Sequence, residues 1–205
     1  RTAPADPLVE DNGWPNIETR LAIALGPKED YMGGRKQRPL EMGISGVVGQ
    51  IRSTRVDLGN PGPLRVVQDI WALGSDLQLA VTDRFGIFGE FFVGQTLADY
   101  NAGILQNFNT EDYRPIRTIG GYGEVYYYLS PKLHIHCGYG IDDPYNQDLA
   151  SGQASSNQTF YNTLLYDFSR AVQLGFEVDY RKTTYMSPSE DSEGALFMTQ
   201  FLWRF

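Results

Sequence analysis

Apolar and small or polar residues alternate with a period of two in nine segments of this chain: 17–25, 40–51, 66–81, 85–96, 116–129, 133–141, 159–168, 172–185 and 195–205. A period of two is the mark of a strand with two unlike faces, and the 3.6-residue period of an amphipathic helix is hard to find. Segment 133–141 sets Leu133, Ile135, Cys137, Tyr139 and Ile141 against His134, His136, Gly138 and Gly140. Segment 172–185 sets Val172, Leu174, Phe176, Val178 and Tyr180 against Gln173, Gly175, Glu177, Asp179 and Arg181. The fold class expected is all-β. A water-soluble sandwich alternates in the same way, so alternation alone leaves both a soluble and a membrane fold open.

The connections discriminate better, because short and long ones take turns. Three short turns share one pattern, an apolar residue, Ser or Thr, two further turn residues and an apolar residue: 81–85 (VTDRF), 129–133 (LSPKL) and 168–172 (FSRAV). Between them lie the polar loops 52–65, 97–115, 142–158 and 186–194. Short turns at one end and long loops at the other are the pattern of an antiparallel transmembrane β-barrel of the outer-membrane type. Composition agrees: 13 Tyr and 11 Phe coexist with a mean hydropathy of −0.35, as expected when aromatics crowd one parity and polar groups the other. No apolar run is long enough for a transmembrane helix. One Cys excludes an internal disulfide or a Cys-based zinc site, and 25 acids against 17 bases argue against nucleic acid as a partner.

The C-terminus points the same way. Phe197, Phe201, Trp203 and Phe205 share one parity and resemble the terminal-strand signal by which the outer-membrane assembly machinery recognises its clients. If Phe205 ends in the periplasm, counting back through nine strands makes residues 1–16 an extracellular loop that precedes the first strand. Single-chain bacterial barrels have even strand numbers. The expectation is a single β-barrel domain, 1–205, forming the C-terminal part of a porin barrel of about sixteen to eighteen strands, to which this chain supplies about nine. The weakest link is 26–39, which must be a long periplasmic turn; a strand hidden there would reverse the count.

The stretches 89–97 (GEFFVGQTL), 120–129 (GGYGEVYYYL), 134–144 (HIHCGYGIDDP) and 175–183 (GFEVDYRKT) resemble the C-terminal half of porin-like outer-membrane proteins of planctomycetes. More distantly the chain is similar to general trimeric porins, including DcaP-type channels. The resemblance covers roughly residues 10–205. It implies a Gram-negative-type outer membrane, a homotrimer, no cofactor, and passive diffusion of small hydrophilic solutes. The alternative is a soluble all-β ligand-binding domain of jelly-roll or sandwich type.

In so wide a barrel, inward side chains line water rather than fill a core. Parity places Glu90, Arg117, Glu124, His134, His136, Asp167, Glu177, Asp179 and Arg181 there, and the excess of acids suggests mild cation preference. His134 and His136, two apart on one face, have a spacing that could hold a metal or sense pH. Asp142, Asp143, Asn146 and Asp148 form an oxygen-rich cluster that is a weak candidate for Ca²⁺, without the EF-hand pattern. No hydrolase elbow, metalloprotease pair or P-loop is present, so no enzyme is expected. Loop 97–115 is the best candidate to fold inward as a constriction, because Ile104, Leu105 and Phe108 suit a freely solvated loop poorly.

Overall fold

The computed structural model describes residues 9–12, 14–31, 35–56 and 63–204. It contains twelve strands: β1 (Val9–Asn12), β2 (Ile17–Leu25), β3 (Glu29–Tyr31), β4 (Arg35–Gln37), β5 (Leu40–Val56), β6 (Pro63–Ala80), β7 (Phe85–Gln95), β8 (Arg117–Ser130), β9 (Leu133–Pro144), β10 (Ala154–Asp167), β11 (Val172–Tyr185) and β12 (Ser192–Trp203). Three single turns of 3₁₀ helix, Ala98–Tyr100, Gly103–Leu105 and Asn146–Asp148, are the only helical pieces among the described residues. From β5 to β12 every strand pairs antiparallel with the next in the chain. Two short strands share the free side of β5: β2 along Leu40–Val48 and β1 along Ile51–Thr54. They lie end to end as one broken strand, so the sheet has nine strand positions. Each of the nine alternating segments falls on one of them.

Register sorts the side chains. Phe85, Tyr127, Ile135, Leu164 and Phe176 stand in one cross-strand row on the apolar face. On the other face a parallel row runs Gln78, Phe88, Glu124, Gly138, Tyr161, Asp179. Among the described residues the apolar face carries no second layer: Leu21, Ile44, Leu73 and Phe176 are 51–69% exposed. A patch of that extent in water would be strongly unfavourable. The buried residues lie instead on the polar face, where Ile51, Ile70, Leu97 and Ala102 form a cluster under the 96–116 loop, with Val47, Ala72, Phe92, Tyr100 and Phe108 against it.

The shared turn pattern has a direct cause. In each short turn the hydroxyl accepts two backbone N–H groups: Thr82 from Arg84 and Phe85 (3.2 and 2.9 Å), Ser130 from Lys132 and Leu133 (3.3 and 3.1 Å), Ser169 from Ala171 and Val172 (3.2 and 3.1 Å). These donors would otherwise be unpaired where the ladder ends. Two glycines serve close packing on the polar face. A β-carbon at Gly138 would overlap the Tyr161 ring, and one at Gly86 the Tyr126 ring, so each tyrosine lies flat across a neighbouring strand.

Three expectations are corrected. Residues 9–12, read as part of a loop, are a strand paired with β5. The connection 26–39 holds the separate β3–β4 hairpin; two short strands leave the direction of the others unchanged. Loop 52–65 is largely strand, since β5 and β6 pair from Leu40↔Leu79 to Val56↔Pro63. Seventeen residues of strand reach about 55 Å, and the outer part of this ladder, 52–56 with 63–66, lacks the regular apolar alternation by which the rest was read. The sheet does not close on itself among the described residues: β2 pairs only with β5, and β12 only with β11.

Because the packed cluster lies between loop and sheet, Leu97→Ala is expected to lower unfolding stability in detergent micelles by about 2–4 kcal/mol. Phe197→Ala, on the exposed face, should cost under about 1 kcal/mol in the same denaturant titration.

Candidate functional site

The site is the polar face together with the loop laid over it. Leaving β7, the chain turns inward at Thr96 and returns to β8 at Ile116, and Thr96 N–H bonds the Ile116 carbonyl at 3.0 Å. Five residues of this segment, Thr96, Asn101, Ile104, Leu105 and Tyr113, have φ between 50° and 62°. They are the only non-glycine residues with positive φ among those described. For Thr and Ile in particular this conformation is costly, and it persists only where surrounding contacts impose it.

Those contacts reach strands on both sides of the loop. Tyr100 donates its hydroxyl to Glu18 on β2 at 2.9 Å and accepts from Asn16 Nδ2 at 2.9 Å. Burial first, and the bond to Glu18 next, raise the Tyr100 phenol above its ordinary pKa. Ile104 N–H reaches Asp142 on β9 at 2.8 Å, and that carboxylate also accepts the Thr118 hydroxyl at 2.7 Å. Gln106 makes a reciprocal pair with the Ala154 backbone of β10, at 2.8 and 3.1 Å. Asn109 Nδ2 donates to the Asp148 carbonyl at 3.0 Å. The loop therefore crosses the polar face from β2 to β10. Between it and the wall remains a cavity of about 800 Å³, whose lining includes Glu18, Arg20, Glu90, Tyr122, Asp142 and Asn157.

Arginines on and beside this face are committed to carboxylates. Arg20 holds Asp76 through two bonds of 3.2 and 2.7 Å, with Glu41 at 3.8 Å. Arg181 gives 3.1 and 2.6 Å bonds to Asp179 Oδ2, leaving the buried Oδ1 without a hydrogen-bond partner among the described residues. Arg117 grips Asp148 with bonds of 2.7 and 2.8 Å. Glu18, Glu90 and Glu177 have no cation within ion-pair distance among the described residues; Glu177 instead takes the Thr163 hydroxyl at 2.5 Å. Acid exceeds base on this wall.

Of the residues that parity singled out, Glu90, Glu124, His134, His136, Asp167, Glu177, Asp179 and Arg181 do share the polar face. Arg117 does not. It differs from Glu124 by an odd number of positions, so a regular strand cannot show both on one side. It sits opposite Gln95 at the long-loop rim, with Tyr145 under its guanidinium at 5.3 Å. Phe197, Phe201 and Trp203 stand on the apolar face, 66–76% exposed, and Phe205 lies outside the described residues. The Ca²⁺ candidates do not converge. Asp142 is occupied by loop donors, Asp148 by Arg117, and Asp143, opposite Ile119, is on the other parity. Among the described residues no group of three or more His, Cys, Asp or Glu is placed to hold a metal ion.

Sequence reasoning passed over Tyr122 and Tyr161, although the strand parity that Tyr122 shares with Glu124 and Tyr161 with Asp167 would have marked them. It also missed the tie between Tyr100 and Glu18, 82 positions apart, for which no local signal exists.

No protein family matches this sequence, and no curated protein does. Among solved structures, the chain is similar to the outer membrane channel DcaP of Acinetobacter baumannii, at a TM-score of 0.71 and 12% identity over 96% of this chain. The fold is porin-like. The match takes in 53% of the DcaP chain, so this chain spans about half that protein's length.

The clamp between Arg117, the first residue of β8, and Asp148 in the loop beyond β9 generates a pH prediction. The hydrogen bond from Arg117, followed by its backbone donor and charge, lowers the Asp148 pKa below the carboxylate norm despite burial. A depressed folded pKa means stabilisation that is full above the unfolded value of about 3.9 and lost as pH falls through the folded one. Protection against deuterium exchange in 103–115, measured relative to the intrinsic rate at each pH, should therefore hold down to about pH 4 and fall only below it. In Arg117→Gln exchange should be about tenfold faster already at pH 7.

Proposed function

We propose that this chain forms the wall and constriction of an outer-membrane porin, a water-filled channel for passive diffusion of small hydrophilic solutes. The observation that carries this reading is the loop from Thr96 to Ile116, held in strained geometry against the polar face of a sheet whose opposite face exposes aliphatic and aromatic side chains. A soluble protein would cover that apolar face; lipid covers it here. The likeness to DcaP, itself an outer membrane channel, supports the same reading.

On this reading the free edges of β2 and β12 pair with further strands of a longer polypeptide and close a barrel of about sixteen to eighteen. The closed barrels associate as homotrimers. The terminal aromatics are read by the outer-membrane assembly machinery. The channel reading assigns no catalytic step to this chain. The cavity beneath the loop, with Glu18 and Glu90 uncompensated, favours cations.

Two measurements test this. The protein should remain in the membrane pellet after a salt wash and require detergent; a soluble monomer would overturn the proposal in favour of a ligand-binding sheet. Reconstituted at its natural length in a planar bilayer, it should pass current with a reversal potential showing K⁺ preferred over Cl⁻. Glu18→Gln with Glu90→Gln should reduce that preference about two- to fivefold, and an anion-selective wild type would refute the assignment of charge to the pathway.

A further inference from the structure

Near the short-turn end of the polar face, five side chains form one line, joined by three hydrogen bonds and one ion-pair contact. Asp167 Oδ2 lies 3.4 Å from His134 Nε2, His134 Nδ1 is 2.9 Å from His136 Nε2, and His136 Nδ1 is 2.5 Å from Glu124 Oε1. The Tyr161 hydroxyl closes the line with a 2.8 Å bond to Glu124 Oε2, and Gln173 Nε2 fixes Asp167 Oδ1 at 2.8 Å. His134 is buried, stacked on Tyr128 with ring centres 4.7 Å apart, and Tyr126 flanks His136 at 5.9 Å.

Counting hydrogens on the four ring nitrogens fixes the charge of the pair. Each outer nitrogen, His134 Nε2 and His136 Nδ1, faces a carboxylate and needs a hydrogen to make a favourable contact. The two inner nitrogens face each other and can hold one hydrogen between them. Two hydrogens, the neutral count, leave at least one contact unfavourable: a bare nitrogen against a carboxylate, or two bare nitrogens face to face. Three satisfy every contact. Four place N–H against N–H across 2.9 Å and break the link.

We infer that His134 and His136 act as a single proton-binding site that carries one proton beyond the neutral pair, held between Glu124 and Asp167. The pair is one unit of positive charge lying between two carboxylates, and its second extra proton is taken up only with loss of the His134–His136 contact. The groups facing it are Glu124, Tyr126 and Tyr128 from β8, Tyr161, Thr163 and Asp167 from β10, and Gln173 with Glu177 from β11. Gln37 of β4 reaches Tyr126 at 3.4 Å, linking the hairpin to the same line. Charge on this strip of wall thus changes in two separate steps with pH. On the channel reading the steps alter the lining; the proton count itself does not depend on that reading.

The test is ¹⁵N-imidazole NMR of the folded, detergent-solubilised protein, its resonances assigned with His134→Gln. The result expected is a nitrogen–nitrogen coupling across the His134–His136 hydrogen bond near neutral pH. Proton uptake should occur in two steps more than about one pH unit apart, with the coupling lost at the acidic step. Asp167→Asn should move the first step down by on the order of one pH unit, because a carboxylate partner of the imidazolium is gone. Two rings titrating together at about 6.5, or no coupling at any pH, would overturn the inference. The wild-type spectrum decides this even if a variant fails to fold. A protein that shows the coupling but conducts no current would refute the channel reading and leave the proton site standing.

Discussion

Among the described residues the large antiparallel sheet has no second layer with which to bury its apolar side, and the arrangement of this molecule follows from that constraint. Every strand residue goes to one of two faces, and the two faces demand different surroundings. Leu21, Ile44, Phe176 and Phe201 are left in the open, while Ile51 and Ile70 are sealed by the chain itself. The packing that a globular domain would place between layers is confined here to one loop pressed on the polar side.

That loop explains why the polar side can be charged and still ordered. Its strained backbone is held by ties at both ends, Tyr100 to Glu18 and Gln106 to Ala154, so conformational cost at Ile104 and Leu105 is offset by hydrogen bonds made elsewhere. Beneath it Arg20 is held by Asp76 and lies beside Glu41. Positions of charge along the wall are thus set by cross-strand register, a rigid property of the sheet.

Much of this was legible in the sequence, because strand parity is a local signal. Alternation at 133–141 and 172–185 identified faces correctly, and the Ser or Thr of each short turn marked the places where a hydroxyl replaces a ladder partner. The limits were physical too. Beyond the apolar band a strand needs no alternation, so the outer ends of β5 and β6 read as loop and β1 was missed. Arg117 was misassigned where polar character replaced strict counting. The contacts that fix the loop join residues many tens of positions apart, and only the folded sheet brings Asn16, Glu18 and Tyr100 together.

From β5 onward, spatial order repeats chain order without a crossover. Each strand needs only its predecessor's free edge to find its register, and the three capped turns make the closing entropy of those hairpins small. The sheet can therefore grow one strand at a time, always exposing a single growing edge, with no rearrangement of what has already formed. The 96–116 segment differs, because its anchors lie on both sides of it in the chain. It can dock only after β10 is in place, so the ordering of the loop reports that the sheet around it is complete.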